Sequence, residues 1–83
     1  MLNNEFVRIQ ADELAKRLLR QGPDEESARI HWTYQLLYGR PARSEELAIG
    51  HQLLAKSGEP EAESAWSDLV HVLLCANEFI YVD

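Results

Sequence analysis

Apolar residues recur along the chain at spacings of three and four, which is the period of an amphipathic helix. Four such stretches are separated by segments that contain glycine, proline or clustered charge. They predict helices at residues 4–21, 24–38, 44–56 and 62–77. The first stripe is the clearest, and its members are Val7, Ala11, Leu14, Ala15 and Leu18. The pattern therefore predicts an all-α fold, a single bundle of four helices.

Breakers and caps set the predicted helix ends. Gly22 and Pro23 are expected to end the first helix, with Gly22 in the left-handed conformation of a C-cap. Asp24 is predicted to cap the second helix and Ser44 the third. Gly50 lies inside the third helix, where glycine lowers helix stability, so we expect another helix to approach it closely.

The last quarter of the chain holds its densest apolar run, and we expect the other segments to pack on it. Its run Phe79–Val82 has strand propensity but no second strand to pair with. We therefore predict an irregular tail after about Asn77. The second segment is apolar on more than one side, because Trp32 and Leu36 lie off its main stripe, and we expect it to be central.

Composition limits the classes of function. The 83 residues suffice for one domain, predicted to span 1–83. A net charge of −6 opposes nucleic-acid binding, and no apolar run approaches the roughly 20 residues that membrane insertion needs. Cys75 is the only cysteine, so no internal disulfide is possible. Because it lies in an apolar run, we expect it to be buried.

Three histidines, His31, His51 and His71, follow one another at intervals of 20 residues. A metal or haem site would need their side chains to converge, and even spacing along the chain does not require that. The sequence contains neither a His-x-x-x-His pair nor a Cys-x-x-Cys-His attachment motif. We therefore expect no cofactor and no metal, and a small metal- or haem-binding domain stays as an alternative.

Two polar pairs are interpreted as structural. Asp68 and His71 stand at i and i+3 on one helix, a spacing typical of a surface hydrogen bond. Arg40 follows the second helix, and we expect its guanidinium to reach the carboxylate of Glu46. The alternative is that Arg40, Asp68 and His71 contribute to an enzyme site that other domains complete. No serine or cysteine in a nucleophile-elbow motif accompanies them.

Three segments, residues 2–19, 34–47 and 65–83, carry a resemblance to a known family. They read LNNEFVRIQADELAKRLL, YQLLYGRPARSEEL and AWSDLVHVLLCANEFIYVD. Their order and spacing resemble the C-terminal end of Domain of Unknown Function 1553, the PSD domain of planctomycete and related bacterial proteins. Two positions depart from the family pattern. Arg43 stands where the family tends to have threonine, and Cys75 replaces an asparagine.

The resemblance implies that the chain is a C-terminal piece of a larger, exported protein, with a cell-envelope location. Members of the family often also carry a c-type-cytochrome-like module, whose haem motif this chain lacks. The resemblance supplies no catalytic residue.

Taken together, the sequence predicts a non-catalytic structural or protein-interaction module. Its partner would be the rest of a parent protein or another protein, and the oligomeric state stays open. Apolar and aromatic residues off the helix stripes or in the predicted tail are the predicted contacts, namely Phe6, Ile9, Trp32, Phe79 and Tyr81.

Overall fold

The computed structural model describes the backbone of residues 4–80 and the side chains of residues 5–76. Four α-helices joined by short links form this part of the chain. They are α1 (Asn4–Gln21), α2 (Glu26–Tyr38), α3 (Ser44–Lys56) and α4 (Glu63–Ile80). The predicted all-α four-helix architecture is confirmed, and α1 and α3 have the predicted bounds. No helix of the described range is long and apolar enough to cross a bilayer.

Helix α4 is longer than predicted. It continues through residues 78–80, where an irregular tail was expected, as far as the described residues reach. The run after Asn77 contains neither glycine nor proline to stop the helix, and strand propensity has little effect without a second strand. The rest of the predicted tail, 81–83, lies outside the described residues, as does the side chain of Phe79.

The core forms around α4, which packs against each of the other three helices. Trp66 and Val70 of α4 are fully buried, and Leu69 and Leu73 nearly so. The expectation that the last quarter of the chain is the part on which the others pack is confirmed. Helix α2 packs against both α3 and α4, as expected of a helix that is apolar on more than one side, but α4 is the helix that contacts all three others, and Leu36 of α2 stays exposed.

Small residues let α1 lie close to α4. Ala11 and Ala15 are fully buried between Val7 and Leu18, which are also buried, so the predicted stripe of α1 faces the core. Two alanines in succession along one face shorten the distance that the two helix backbones must keep. This pairing of α1 with α4 is the most extensive helix contact in the described chain.

Two glycines have distinct roles. Gly39 adopts φ 73° and donates its N–H to the carbonyl of Gln35, which makes it the left-handed C-cap of α2. Gly22 is not in the left-handed region, so that prediction is wrong. Its requirement is space: a Cβ at Gly22 would lie 3.1 Å from the ring of Trp32 and 2.6 Å from the carbonyl oxygen of Leu18.

The predicted caps are each displaced by one residue. α2 begins at Glu26, so Glu25, and not Asp24, stands at the N-cap. α3 begins at Ser44 itself, so Arg43 precedes it, and the Glu46 carboxylate accepts a hydrogen bond from the Arg43 backbone N–H at 2.8 Å. Helix ends shift by a residue when two neighbouring positions can both begin the first turn.

Gly50 is the contact point between α3 and α2, as predicted. It is buried, and a Cβ there would lie 3.1 Å from Cδ1 of Ile30. Cys75, in contrast, is exposed, and the prediction that it is buried is wrong. It shares the outer face of α4 with Asp68 and Val72, seven and three residues earlier.

Candidate functional site

Arg40 and Glu46 form a bidentate ion pair where α2 turns into α3. Arg40 Nη1 donates to Glu46 Oε1 at 2.8 Å, and Nη2 donates to Oε2 at 2.9 Å. The guanidinium lies over the rings of Tyr34 and Tyr38, at 5.6 and 5.5 Å from their centroids. The predicted contact between Arg40 and Glu46 is therefore present, with two aromatic partners that the sequence did not reveal.

Charge and burial shift the titration of this cluster. The hydrogen bonds from Arg40 lower the pKa of Glu46 to about 2, against the opposing effect of burial. Burial, reinforced by the nearby Glu46 carboxylate, raises the pKa of Tyr34 to about 12, and burial likewise raises the pKa of Tyr38. The Tyr38 hydroxyl donates to the carbonyl of Leu73 at 2.9 Å, so the cluster joins α2, α3 and α4.

Asp68 has a different partner from the one predicted. Arg8 of α1 donates to its carboxylate at 3.2 Å, in place of the expected hydrogen bond from His71. Arg8 also donates to the hydroxyl of buried Ser67 at 3.1 Å, and that hydroxyl donates to Asp12. The group ties α1 to α4 across their interface.

Arg29, in the first turn of α2, is a buried cation. The guanidinium of Arg29 lies 5.2 Å from the ring centroid of Trp66, and its Nε donates to the carbonyl of Pro23 at 2.9 Å. The Trp66 indole donates to the carbonyl of Pro60, also at 2.9 Å. The Arg29 bond holds the link between α1 and α2, and the Trp66 bond holds the loop before α4, so we assign both to structure.

A fourth polar cluster, formed by Glu26, Ser27 and His51, has the side-chain groups of an acyl-transfer relay. Ser27 Oγ lies 2.8 Å from His51 Nε2, and His51 Nδ1 is hydrogen-bonded to a carboxylate oxygen of Glu26. The side chains of His51 and Glu26 are 37% and 31% exposed, so solvent reaches the group. A hydroxyl, an imidazole and a carboxylate in this order are the parts of a nucleophile activated by a general base.

Sequence reasoning missed this cluster because its members are far apart along the chain. Glu26 and Ser27 lie in the first turn of α2, whereas His51 lies in the second half of α3. Their meeting follows from the antiparallel packing of α2 and α3, in which Arg40 and Glu46 meet at the other end. The short link between the two helices was the available signal, since short links place helices side by side.

The predicted histidine and enzyme sets are not brought together. His31 accepts a hydrogen bond from the backbone N–H of Ala42 at 3.1 Å, whereas His51 contacts Glu26 and Ser27. Across the described residues, no group of three or more His, Cys, Asp or Glu side chains is arranged to hold a metal ion. Arg40 binds at the α2–α3 turn and Asp68 at the α1–α4 interface, so they do not share one site.

The predicted partner-contact residues differ in exposure. Phe6 and Ile9 are 50% and 52% exposed on α1. Trp32 is half-buried against the core, with the guanidinium of Arg17 at 5.7 Å from its ring centroid. Phe79 and Tyr81 lie outside the residues whose side chains are described.

The structure adds an apolar surface that the sequence did not predict. Ile49 and Val72 are 54% and 51% exposed, and Leu53 is 37% exposed. Leu53 and Val72 face each other across a groove of about 240 Å³ between α3 and α4, with Leu69 as a further apolar wall. We call this the α3–α4 surface, defined by Ile49, Leu53, Leu69 and Val72.

No family model, curated protein or solved structure matches this chain. The family resemblance stays a prediction, and an account of function depends on the surfaces and contacts described above.

Proposed function

We propose that this chain is a protein-interaction module whose α3–α4 surface binds a polypeptide, either elsewhere in a parent protein or in another protein. The observation that carries the proposal is the exposure of Leu53 and Val72 along one groove, with exposed Ile49 one helical turn before Leu53 on α3. Single exposed apolar residues are ordinary on a protein surface. Several large ones gathered around a groove are typical of an interaction site.

The form of the groove favours a helical partner. Two helices with an apolar channel between them can accept the apolar ridge of a third helix, with anchor residues at spacings of three, four and seven. Lys56 and Asp68 also line the groove and place one charge of each sign beside its apolar wall. An apolar centre with charged edges is the usual composition of a protein interface.

The overall charge favours a basic partner. The chain carries a net charge of −6, which attracts and orients a cationic surface before contact. We therefore propose an amphipathic helix with lysine or arginine beside its apolar face as the occupant. Phe6, Ile9, Trp32, Phe79 and Tyr81 remain proposed contacts of a wider interface.

The resemblance to Domain of Unknown Function 1553 supports the same proposal. Members of that family occur as parts of larger exported bacterial proteins, in which a C-terminal helical domain would pack against preceding domains. A cell-envelope location and a neighbouring domain of the parent protein as the occupant belong to this proposal.

A designed peptide tests the proposed surface. The peptide is an amphipathic helix with leucines on one face and lysines on the other, and its binding is measured by isothermal titration calorimetry. We expect saturable binding that the triple substitution Ile49→Ser, Leu53→Ser and Val72→Ser reduces at least tenfold. The matched control is Leu36→Ser, which removes an exposed apolar side chain from α2. Equal binding by the triple variant and the wild type would contradict the proposal.

A further inference from the structure

We propose that Ser27, His51 and Glu26 form a hydrolytic relay, in which Ser27 is the nucleophile toward small carboxylic esters. This activity goes beyond the interaction role and does not depend on it, because the relay lies between α2 and α3 and shares no residue with the α3–α4 surface.

The hydrogen-bond geometry assigns the role of each group. A carboxylate can only accept, so His51 Nδ1 carries the hydrogen that is donated to Glu26. In neutral imidazole Nε2 is then the acceptor, and it accepts the hydroxyl hydrogen of Ser27 at 2.8 Å. This is the tautomer that a general base needs, and Glu26 both fixes it and stabilises the imidazolium that forms.

The start of α2 supplies donors for a developing negative charge. The backbone N–H groups of Ser27 and Ala28 point out of the first helical turn, next to the nucleophile. Both donate to the carboxylate of Glu25, at 3.2 and 2.8 Å. These two hydrogen bonds lower the pKa of Glu25, because they favour its charged carboxylate over the neutral acid.

Glu25 therefore occupies the place that an oxyanion would take. Its side chain is exposed, so a small ester can displace it without rearrangement of the core. The same carboxylate competes with the oxyanion and keeps the unsubstituted chain a slow catalyst. Removal of Glu25 should therefore speed the reaction if the three residues form a relay. It should have no such effect if they are only a surface hydrogen-bond network.

The reaction proceeds by acyl transfer through two balanced steps. Ser27 Oγ bonds to the carbonyl carbon of the ester while its proton passes to His51 Nε2, and the tetrahedral oxyanion accepts from the N–H groups of Ser27 and Ala28. The carbon–oxygen bond to the leaving alcohol then breaks, and the alcohol takes the proton from Nε2. Water repeats the sequence on the acyl-serine, giving the carboxylic acid and free Ser27.

The experiment uses the 83-residue chain with p-nitrophenyl acetate as the probe. Release of p-nitrophenolate is followed by absorbance, and the acetylated residue is located by peptide mass spectrometry. We expect acetylation at Ser27, with the rate falling at least tenfold in Ser27→Ala and about a hundredfold in His51→Ala, the lower end of the range for a general base. Glu26→Gln should also slow the reaction.

Two matched controls measure the reaction of the ester with serine and histidine side chains outside the relay. Ser44 begins α3 as an exposed serine, and His71 is a partly exposed imidazole on α4. Ser44→Ala and His71→Ala should leave the rate within twofold of the wild type. Acetylation at histidine or lysine without acetyl-Ser27, or a Ser27→Ala rate equal to that of the wild type, would overturn the proposal.

Removal of the Glu25 side chain tests whether the N–H groups of Ser27 and Ala28 can stabilise the oxyanion. Glycine is tolerated at an N-cap, so Glu25→Gly frees both N–H groups and keeps α2. With helicity by circular dichroism unchanged, we expect acetylation of Ser27 to accelerate at least fivefold. An unchanged or slower rate would contradict the oxyanion assignment. The Ser27→Ala variant should still bind the amphipathic peptide, so failure of the relay and failure of the interaction proposal give different results.

Discussion

Arg40 binds both carboxylate oxygens of Glu46 and thereby closes the turn that joins α2 to α3. The pair sets the antiparallel packing of the two helices, which in turn brings Glu26 and Ser27 against His51 at the far end. Charge-assisted bidentate pairs fix geometry more strictly than single hydrogen bonds do. The α2–α3 turn is therefore the element on which the polar cluster at the other end depends.

Replacing Arg40 by lysine should destabilise the fold although the charge is kept. Lysine cannot form the bidentate pair or stack its ammonium over Tyr34 and Tyr38 as a planar guanidinium does. We expect Arg40→Lys to lower the free energy of unfolding, seen as a lower urea midpoint than that of the wild type. Urea denaturation measures the loss, and Arg43→Lys, at an exposed arginine three residues away, is the control. Equal stability of the two variants would contradict the assignment.

Stability should fall as acid protonates Glu46. Its pKa is lowered from 4.5 to about 2, so the native state favours the charged carboxylate. The contribution is fully present above pH 4.5 and is lost as the pH falls toward 2. Because the Arg40–Glu46 pair is partly exposed, solvent screening reduces the contribution of Glu46 to the free energy of unfolding to about 1 kcal/mol.

The difference in unfolding free energy between the wild type and Glu46→Gln, measured from pH 7 to pH 2.5, isolates this contribution. It should shrink as the pH falls over the lower part of that range. A difference that stays constant over the whole range would show that Glu46 is not the titrating group.

Gly50→Ala should destabilise the domain although alanine is the better helix former. The added Cβ would lie 3.1 Å from Cδ1 of fully buried Ile30, and crowding of about 1–3 kcal/mol exceeds the helix gain of about 1 kcal/mol.

Ile30→Val removes the crowded methyl group and supplies the matching half of a double-mutant cycle. The cost of Gly50→Ala should become smaller, or change sign, in the Ile30→Val background. Strict additivity of the two changes would rule out the proposed contact.

Cys75 should react readily in the folded protein. Its thiol is exposed on the outer face of α4, so Ellman's reagent should modify it within about tenfold of the rate for the urea-unfolded chain. Asp68 lies on the same face, two helical turns from Cys75. Because of this distance, Asp68→Asn should leave the rate of thiol modification nearly unchanged, which provides a second test. If folding slowed the modification of the thiol by a much larger factor, Cys75 would be buried and the assignment would be wrong.

The fold could be predicted where one physical signal dominates. The α1 stripe from Val7 to Leu18 has an unbroken 3.6-residue period, and both bounds of α3 follow from polar and glycine-containing links. The continuation of α4 through residues 78–80 was missed, because the strand propensity of this run suggested a tail although no residue in it stops a helix. The exposure of Cys75 was hidden for a related reason: an apolar run conceals which of its members faces outward.

The polar clusters depend on helix register, which a single sequence does not contain. Arg40 and Glu46 are six residues apart, so their contact could be predicted from the turn between them. Arg8 and Asp68 meet across 60 positions, and Ser27 and His51 across 24. Such pairs become visible only when the packing of α1 on α4 and of α2 on α3 fixes which turns lie opposite each other.

Binding of an apolar fluorescent dye to the native chain, with light scattering on the same samples, decides whether the α3–α4 surface is an interaction site. We expect anilinonaphthalene sulfonate to bind the folded wild type and the triple variant Ile49→Ser, Leu53→Ser and Val72→Ser to lose this binding, whereas Leu36→Ser should retain it. A strictly monomeric wild type that binds no dye would contradict the claim that the α3–α4 surface is an interaction site.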